Sequence, residues 1–268
     1  MEDQDLMLLL EKIYRDRNFD LREYKKTSLK RRIERRLRAT KSKSYKDYMK
    51  VLDSDPREYD KLLDDPTIKV TEFFRDPQAF QVVKELILPQ ILAAKEKAKD
   101  YTIRVWSAGC ASGQEPYSIA MLLAEKLGPR LEDFEISIYG TDVNEGVISE
   151  ARRAEYREES VSGVKQGFLD KYFTYNGKYK LKREIRQLVK FGRHDLATDP
   201  PISHLDLLIC RNVAIYFSRS LQDKAFMTFH YALNKGGFLL IGKAEVVTGE
   251  AAKLFKMVNR EWRVYQKL

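Results

Sequence analysis

The spacing of apolar residues changes character along this chain. Up to about residue 67 they recur at helical intervals, in DLMLLLEKIY (5–14), SLKRRIERRLRA (28–39), SYKDYMKVL (44–52) and PREYDKLLDD (56–65). Leu29, Ile33 and Leu37 make the buried stripe of the second segment. Ser28 and Ser44 read as N-caps, and Pro56 as a first-turn residue. TIKVTEFFRDPQAF (67–80) reads as a linker running into a helix from Pro77 to about Lys97. From Tyr101 strands and helices alternate. YTIRVWSA (101–108) and FEISIYGTD (134–142) read as strands, each followed by a helix, Glu115 to Leu127 and Asn144 to Arg153. HLDLLICRN (204–212) and GFLLIGK (237–243) are later strands, with a helix from Arg219 to Leu233 between them. The closing LFKMVNREWRVYQKL (254–268) reads as a hairpin. This alternation predicts a mostly parallel sheet covered on both faces, made mixed by an antiparallel C-terminal strand.

One segment departs from the alternation. KYFTYNGKYKLKREIRQLVKFG (171–192) has strand-like residues on both sides of a turn at Asn176-Gly177 and predicts a small inserted β-subdomain at about 171–191. The expected organisation is a helical domain over 1–67, a linker and first helix over 68–98, and an α/β domain over 99–268. A chain of 268 residues suits one large domain or two modest ones.

Composition adds a location for the charge. The net charge is +9, yet Arg22 to Lys50 alone holds 13 Lys+Arg against 3 Asp+Glu, so the surplus is one local patch seeking an anionic partner. The acidic, interrupted start MEDQDLMLLLEKIYRDR lacks the pattern of a signal peptide, and no apolar run has the length of a membrane span. A cytoplasmic protein is expected, with Cys110 and Cys210 as free thiols. Three scattered histidines make a metal site unexpected.

The loop SAGCASGQEP (107–116) carries the first chemical signal. It lacks the Gly-Lys-Ser/Thr of a P-loop, and its Gly109 and Gly113 do not make a dinucleotide fingerprint. Glu115 would repel a pyrophosphate and suits a cationic group such as an amino acid ammonium. Asp142, at the end of the second strand, can be a helix N-cap; paired with the glycine loop it favours a carboxylate that binds ribose hydroxyls. A ribose carboxylate without a phosphate cradle fits S-adenosylmethionine (SAM).

Five runs, VTEFFRDP (70–77), SAGCASGQEPYSIA (107–120), GTDVN (140–144), CRNVAIYF (210–217) and NREWRVYQ (259–266), occur in this order. Together they resemble CheR, the SAM-dependent glutamate methyltransferase family of chemotaxis receptors, over nearly the whole chain. The resemblance implies a Rossmann-like SAM-dependent methyltransferase domain behind an all-helical receptor-recognition domain. It implies cofactor contacts at Thr71, Arg75, Gly109, Glu115, Asp142, Asp195, Arg211 and Asn212, with Arg75 on the methionine carboxylate. Asp195 stands where many relatives have asparagine beside adenine, and Lys69 where some have asparagine on the cofactor, a contact not carried over. Arg211, Tyr216 and Arg75 match the family's active site. The implied reaction is attack of a receptor glutamate carboxylate on the SAM methyl, giving a γ-methyl ester and S-adenosylhomocysteine (SAH), with no general base.

The family's receptors are long acidic coiled coils, so Arg31, Arg35 and Arg38 become candidate substrate-binding residues. Charge steering of this kind predicts salt-sensitive association. The expected partner is therefore a methyl-accepting receptor at the inner membrane face, with no nucleic acid, no membrane insertion and a monomeric enzyme. The short loop TYNGKYK (174–180) favours a member working without a receptor tethering peptide. Two other functions compete at this level. A nucleic acid methyltransferase fits the basic patch, but TDPPI (198–202) lacks the stacking aromatic and precedes the strand it should follow. A non-catalytic SAM-binding adaptor is disfavoured by the presence of both Arg211 and Tyr216.

Overall fold

The computed structural model describes residues 2–17, 19–63 and 71–268. The helical part comprises α1 (Glu2–Arg17), α2 (Lys26–Thr40), α3 (Tyr45–Ser54) and α4 (Arg57–Leu63). Their apolar stripes meet in a separate core that includes Leu9, Ile13, Leu29, Ile33, Tyr48 and Leu62. Ser44 caps α3, its Oγ accepting from the Asp47 amide at 3.1 Å. Ser28 does not cap α2, which begins two residues earlier, at Lys26. The reason is tertiary: the Lys25 amide is already bonded to the Tyr216 carbonyl at 2.9 Å, so the helix starts immediately after that anchor. Pro56 stands just before α4 rather than in its first turn. The expected boundary at 67/68, with Lys69, lies outside the described residues.

The α/β part opens with α5 (Pro77–Val82), a π-helical turn over Val83–Ile87, and α6 (Leu88–Ala98), which follow one another without a break. Pro89 lacks an amide proton, and here the ladder widens so that Leu88 N–H reaches back to the Val83 carbonyl. Then come β1 (Thr102–Ala108), α7 (Gln114–Leu127), β2 (Glu135–Asp142), α8 (Glu145–Arg153), β3 (Glu155–Tyr156), α9 (Glu158–Val161) and α10 (Gln166–Tyr172). The chain continues through β4 (Phe173–Tyr175), β5 (Tyr179–Leu181), α11 (Arg183–Arg186), β6 (Val189–Arg193), β7 (Leu205–Cys210) and α12 (Arg219–Ala232). It closes with β8 (Leu233–Ile241), α13 (Ala251–Leu254), β9 (Phe255–Asn259) and β10 (Val264–Lys267).

The seven-stranded sheet has the order β6-β2-β1-β7-β8-β10-β9. The first five strands are parallel, and β10 runs antiparallel to both β8 and β9, so the sheet is mixed and ends in the C-terminal hairpin. Every residue of β7 is buried, as expected for a strand covered on both faces. Leu207 and Ile209 join one core layer, with residues of α5–α7, and Leu208 and Cys210 the other, with α12. The order reverses between β1 and β7, which opens a crevice at the carboxyl ends of these strands.

The inserted sheet has the order β3-β5-β4, with the β4–β5 hairpin turning at Gly177 (φ +70°). Its extent differs from the sequence reading. Val189–Arg193 leaves the insertion and pairs in parallel with β2 as an edge strand of the main sheet. Lys190 and Gly192 dilute the strand pattern there, and no turn cluster separates the segment from the hairpin. Cys110 and Cys210 are both buried free thiols.

Candidate functional site

The crevice is built first by the turn between β1 and α7. Gly109 and Gly113 have φ of +77° and +91°, and neither position has room for a Cβ. An added Cβ would collide with Val213 Cγ2 at Gly109 and lie 2.9 Å from Ala151 Cβ at Gly113. The turn's amides face inward. Gly109 and Cys110 both donate to the Thr141 carbonyl (2.8 and 2.9 Å), Ala111 donates to Asp142 Oδ2 (3.0 Å), and Gly113 donates to the Cys110 carbonyl (3.1 Å). These four amides are engaged by the protein itself, so they make no cradle for a phosphate.

Two carboxylates flank the turn. Glu115, in the first turn of α7, accepts from Ser107 Oγ at 2.8 Å and lies 3.5 Å from Arg211 Nη1. Burial pushes its carboxyl above the usual range, with Arg211 and Ser107 opposing. Asp142 ends β2 and accepts from the Ala111 and Asn144 amides, both at 3.0 Å. Asn144, not Asp142, caps α8, through Gly146 N–H at 2.8 Å.

Arg211 enters from the end of β7. Its side chain is only 3 % exposed. Nη1 donates to the Arg75 carbonyl at 3.0 Å, Nη2 pairs with the Asp76 carboxylate, and the guanidinium lies 5.7 Å from the centre of the Phe80 ring. The following turn carries Asn212, at a left-handed φ of +62°, and Tyr216. Phe74, Asp76 and Ala111 around the same crevice also adopt positive φ, so backbone strain is concentrated here.

Sequence reasoning missed what fixes the Tyr216 turn. Glu245, 4 % exposed, accepts from four backbone amides. Oε2 takes Gly242 (2.6 Å) and Asn212 (3.1 Å), and Oε1 takes Val213 (3.0 Å) and Ile215 (3.2 Å). In GKAEVV (242–247) no local pattern marks this glutamate, because three of its partners lie about thirty positions away.

One cavity gathers most of the expected residues. Thr71, Arg75, Gly109, Glu115, Asp142, Arg211, Asn212 and Tyr216 all line it. Phe19, Tyr24 and Arg32 of the helical part line it too, which the sequence did not indicate. Asp195 stands apart. Its neighbours His194 and Leu196 reach the cavity wall, while Asp195 is 1 % exposed and is not a lining residue. Its Oδ1 accepts from the Ala197 amide at 2.9 Å, its Oδ2 is buried without a partner, and burial raises its pKa. His194 Nε2 meets the Pro200 carbonyl at 2.9 Å, leaving Nδ1 a second buried acceptor without a partner.

The arginines of α2 divide three ways. Arg31 and Arg38 are exposed and Arg35 half-buried, away from the cavity wall. Arg32 lines the cavity, and Arg36 turns inward to grip Glu58 with bonds of 2.8 and 2.9 Å.

These donors and acceptors fit SAM. Acceptors dominate where the cofactor carries donors: Glu115 suits an ammonium and Asp142 suits ribose hydroxyls.

Comparison with known proteins points the same way. The family model described as "CheR methyltransferase, SAM binding domain" matches residues 69–264, and "CheR methyltransferase, all-alpha domain" matches residues 4–67. A chemotaxis protein methyltransferase of Listeria innocua is 32% identical, covering 93% of this chain and 92% of its own length. One from Borreliella burgdorferi is 30% identical, covering 91% of this chain and 89% of its own. A 104.1 kDa protein of Rhodobacter capsulatus is 34% identical over 92% of this chain, which spans only 26% of that protein. The chain belongs to the CheR methyltransferase family, an all-helical domain joined to a SAM-binding methyltransferase domain.

Proposed function

We propose that this protein methylates glutamate side chains of chemotaxis receptors, giving glutamyl γ-methyl esters and SAH. The observation that carries the reading is the single cavity at the sheet's switch point that brings Glu115, Asp142, Arg211 and Tyr216 together in a CheR-family chain. Glu115, Asp142 and Arg75 hold the ammonium, ribose and carboxylate of SAM. When bound, SAM supplies a methyl group on a cationic sulfur, open to displacement by an anionic oxygen. A substrate glutamate, with an ordinary side-chain pKa of about 4.3, is already ionised at neutral pH and needs no base. The protein's work is alignment. Arg211 already serves the Arg75 carbonyl, Asp76 and Glu115, so it organises the floor of the site more than it clamps substrate. The Tyr216 hydroxyl then orients the substrate carboxylate through one oxygen and leaves the other nucleophilic.

Receptor recognition belongs to the helical domain, where Arg31, Arg35 and Arg38 meet an acidic coiled coil and steer encounter. No helix among the described residues is long and apolar enough to cross a membrane. The enzyme acts as a cytoplasmic monomer recruited to receptors at the inner membrane face.

The test is transfer of tritiated methyl from SAM to receptor-bearing membranes, with tRNA and DNA in parallel. Volatile, base-labile label on receptor is expected. Stable label on nucleic acid would overturn the function and leave the fold and cofactor standing. Tyr216→Phe should lower turnover by about 100-fold while changing SAM affinity less than about threefold. Equal losses in both would remove Tyr216 from the chemistry.

A further inference from the structure

Arg211 is steered by a residue that does not line the cavity. Asp76 stands at the N-terminus of α5, where an aspartate ordinarily accepts from the amides of the first helical turn. Its side chain makes no such bond. The backbone at Asp76 is left-handed, with φ +57°, and the carboxylate pairs with Nη2 of Arg211. The linker that carries Asp76 is pinned to the helix that carries Glu115, the Phe74 amide donating to Ser118 Oγ of α7 at 3.0 Å. Phe73 anchors the same linker, its ring edge-on to Tyr156 at 4.8 Å and to Phe173 at 5.4 Å. Two carboxylates on elements bonded to each other therefore share Arg211: Asp76 through Nη2, and Glu115 across 3.5 Å from Nη1.

The sharing sets both the charge of the site and the state of Glu115. Three arginines (Arg32, Arg75 and Arg211) and three carboxylates (Glu72, Glu115 and Asp142) line the cavity, so the ionised lining is neutral by itself. Asp76, outside the lining, leaves the ensemble with one net negative charge. SAM carries one net positive charge, from its ammonium, carboxylate and sulfonium, whereas SAH carries none. A guanidinium released from Asp76 would be buried beside the one carboxylate it already approaches, Glu115. It would close on Glu115 as a two-bonded arginine–carboxylate pair and use up the capacity that an ammonium needs.

We infer that Asp76 is a positioning residue for the cofactor, holding Arg211 back from Glu115 and supplying the negative charge that biases the site towards SAM over SAH. The inference rests on the SAM reading of the cavity. Asp76 acts through Arg211, without reaching the cavity wall. Its charge is felt most by a ligand that carries the sulfonium, and it fades from the balance once the methyl group has left.

The experiment is calorimetry on the whole chain, with SAM and SAH as separate probes. Asp76→Asn keeps the side-chain shape and tolerates the left-handed backbone, so it changes the charge alone. At neutral pH the SAM Kd should weaken by about tenfold or more and the SAH Kd by about threefold. Asp76→Glu, which keeps the charge, should hold the ratio of the two Kd values within about threefold of the parent. In a Glu115→Gln background, Asp76→Asn should weaken SAH by less than about twofold, because the carboxylate that Arg211 would close on is gone. Glu115 is faced by Arg211 from the end of β7, Arg75 from the linker and Ser107 of β1, with the buried Cys110 and Cys210 thiols nearby. Losing Asp76 favours the ionised form of Glu115, so the decline of SAH affinity in acid should move to lower pH. Equal losses for SAM and SAH, an acid decline that stays in place, or parent-like affinity for both in Asp76→Asn overturns the inference and leaves Asp76 a packing partner of Arg211. A parent chain that binds neither probe would overturn the SAM reading and this inference with it. A chain that binds both in the expected Asp76-dependent way yet leaves receptors unmethylated would remove the receptor reading and keep this one.

Discussion

The helical core and the cofactor cavity each set an arginine against a glutamate, and the two pairs are built differently. In the helical core, Arg36 and Glu58 share two parallel bonds of 2.8 and 2.9 Å, and Tyr48 adds a third to the same carboxylate at 2.9 Å. Burial alone would raise the Glu58 pKa, but Arg36 and Tyr48 outweigh it and hold the group below its ordinary value. In the cavity, Arg211 divides itself among three acceptors and stands 3.5 Å from Glu115. Burial there wins over Arg211 and Ser107, and the Glu115 pKa is raised. A saturated pair is a scaffold element. An under-compensated carboxylate beside a cavity keeps its capacity for a cationic ligand.

Substitutions can break this contrast, and their expected effects on stability fall in order. Glu58→Ala leaves Arg36 and Tyr48 without their acceptor and should destabilise the chain by about 3 kcal/mol, tempered by the partial exposure of Arg36, as read by urea unfolding. Glu245→Gln puts an amide donor among four backbone donors. It should cost about 2 kcal/mol, and turnover should fall well beyond SAH affinity because the Tyr216 turn loosens. Glu115→Gln should change stability by less than about 1 kcal/mol while weakening SAH about tenfold or more. A large stability loss in Glu115→Gln, with SAH affinity intact, would erase the distinction between the two pairs.

Acid separates the pairs as well. Glu58 is depressed, so its stabilising contribution is complete above its unfolded pKa of about 4.3 and is lost as pH falls through the lower folded value. Glu115 is raised, so it protonates first as pH falls, which weakens its hold on an ammonium while relieving its own burial. SAH affinity should therefore decline at a higher pH than the one at which the helical domain begins to unfold. Calorimetry and circular dichroism across the same pH series check this order.

What could be read from the sequence was local or motif-borne. The strand–glycine turn–helix of Val105 to Leu127, Asp142 at a strand end and Arg211 after an all-apolar strand end each carry their meaning within a few residues, and all three reach the cavity. The unread features depend on distant contacts. The start of α2 is set by a bond from Lys25 to Tyr216, not by the favourable serine nearby. Arg32 and Arg36 look alike in a run of arginines, yet one meets the cavity and the other Glu58. Glu245 and Tyr24 have no signature at all, since each acquires its role from a chain segment far along the sequence. The edge strand β6 was hidden by its shortness and its lysine.

That edge strand has a consequence for the life of the molecule in a crowded cell. The sheet does not close, so its two outermost strands, β6 and β9, offer backbone groups that could template pairing with another chain. Both are only five residues long, and each carries an exposed lysine, Lys190 on one and Lys256 on the other. A strand docking on either side would find few bonds in return, and on the β9 side it would meet the exposed Lys256. The shortness that obscured β6 in the sequence thus also limits what another chain could gain by pairing at the sheet's open margin.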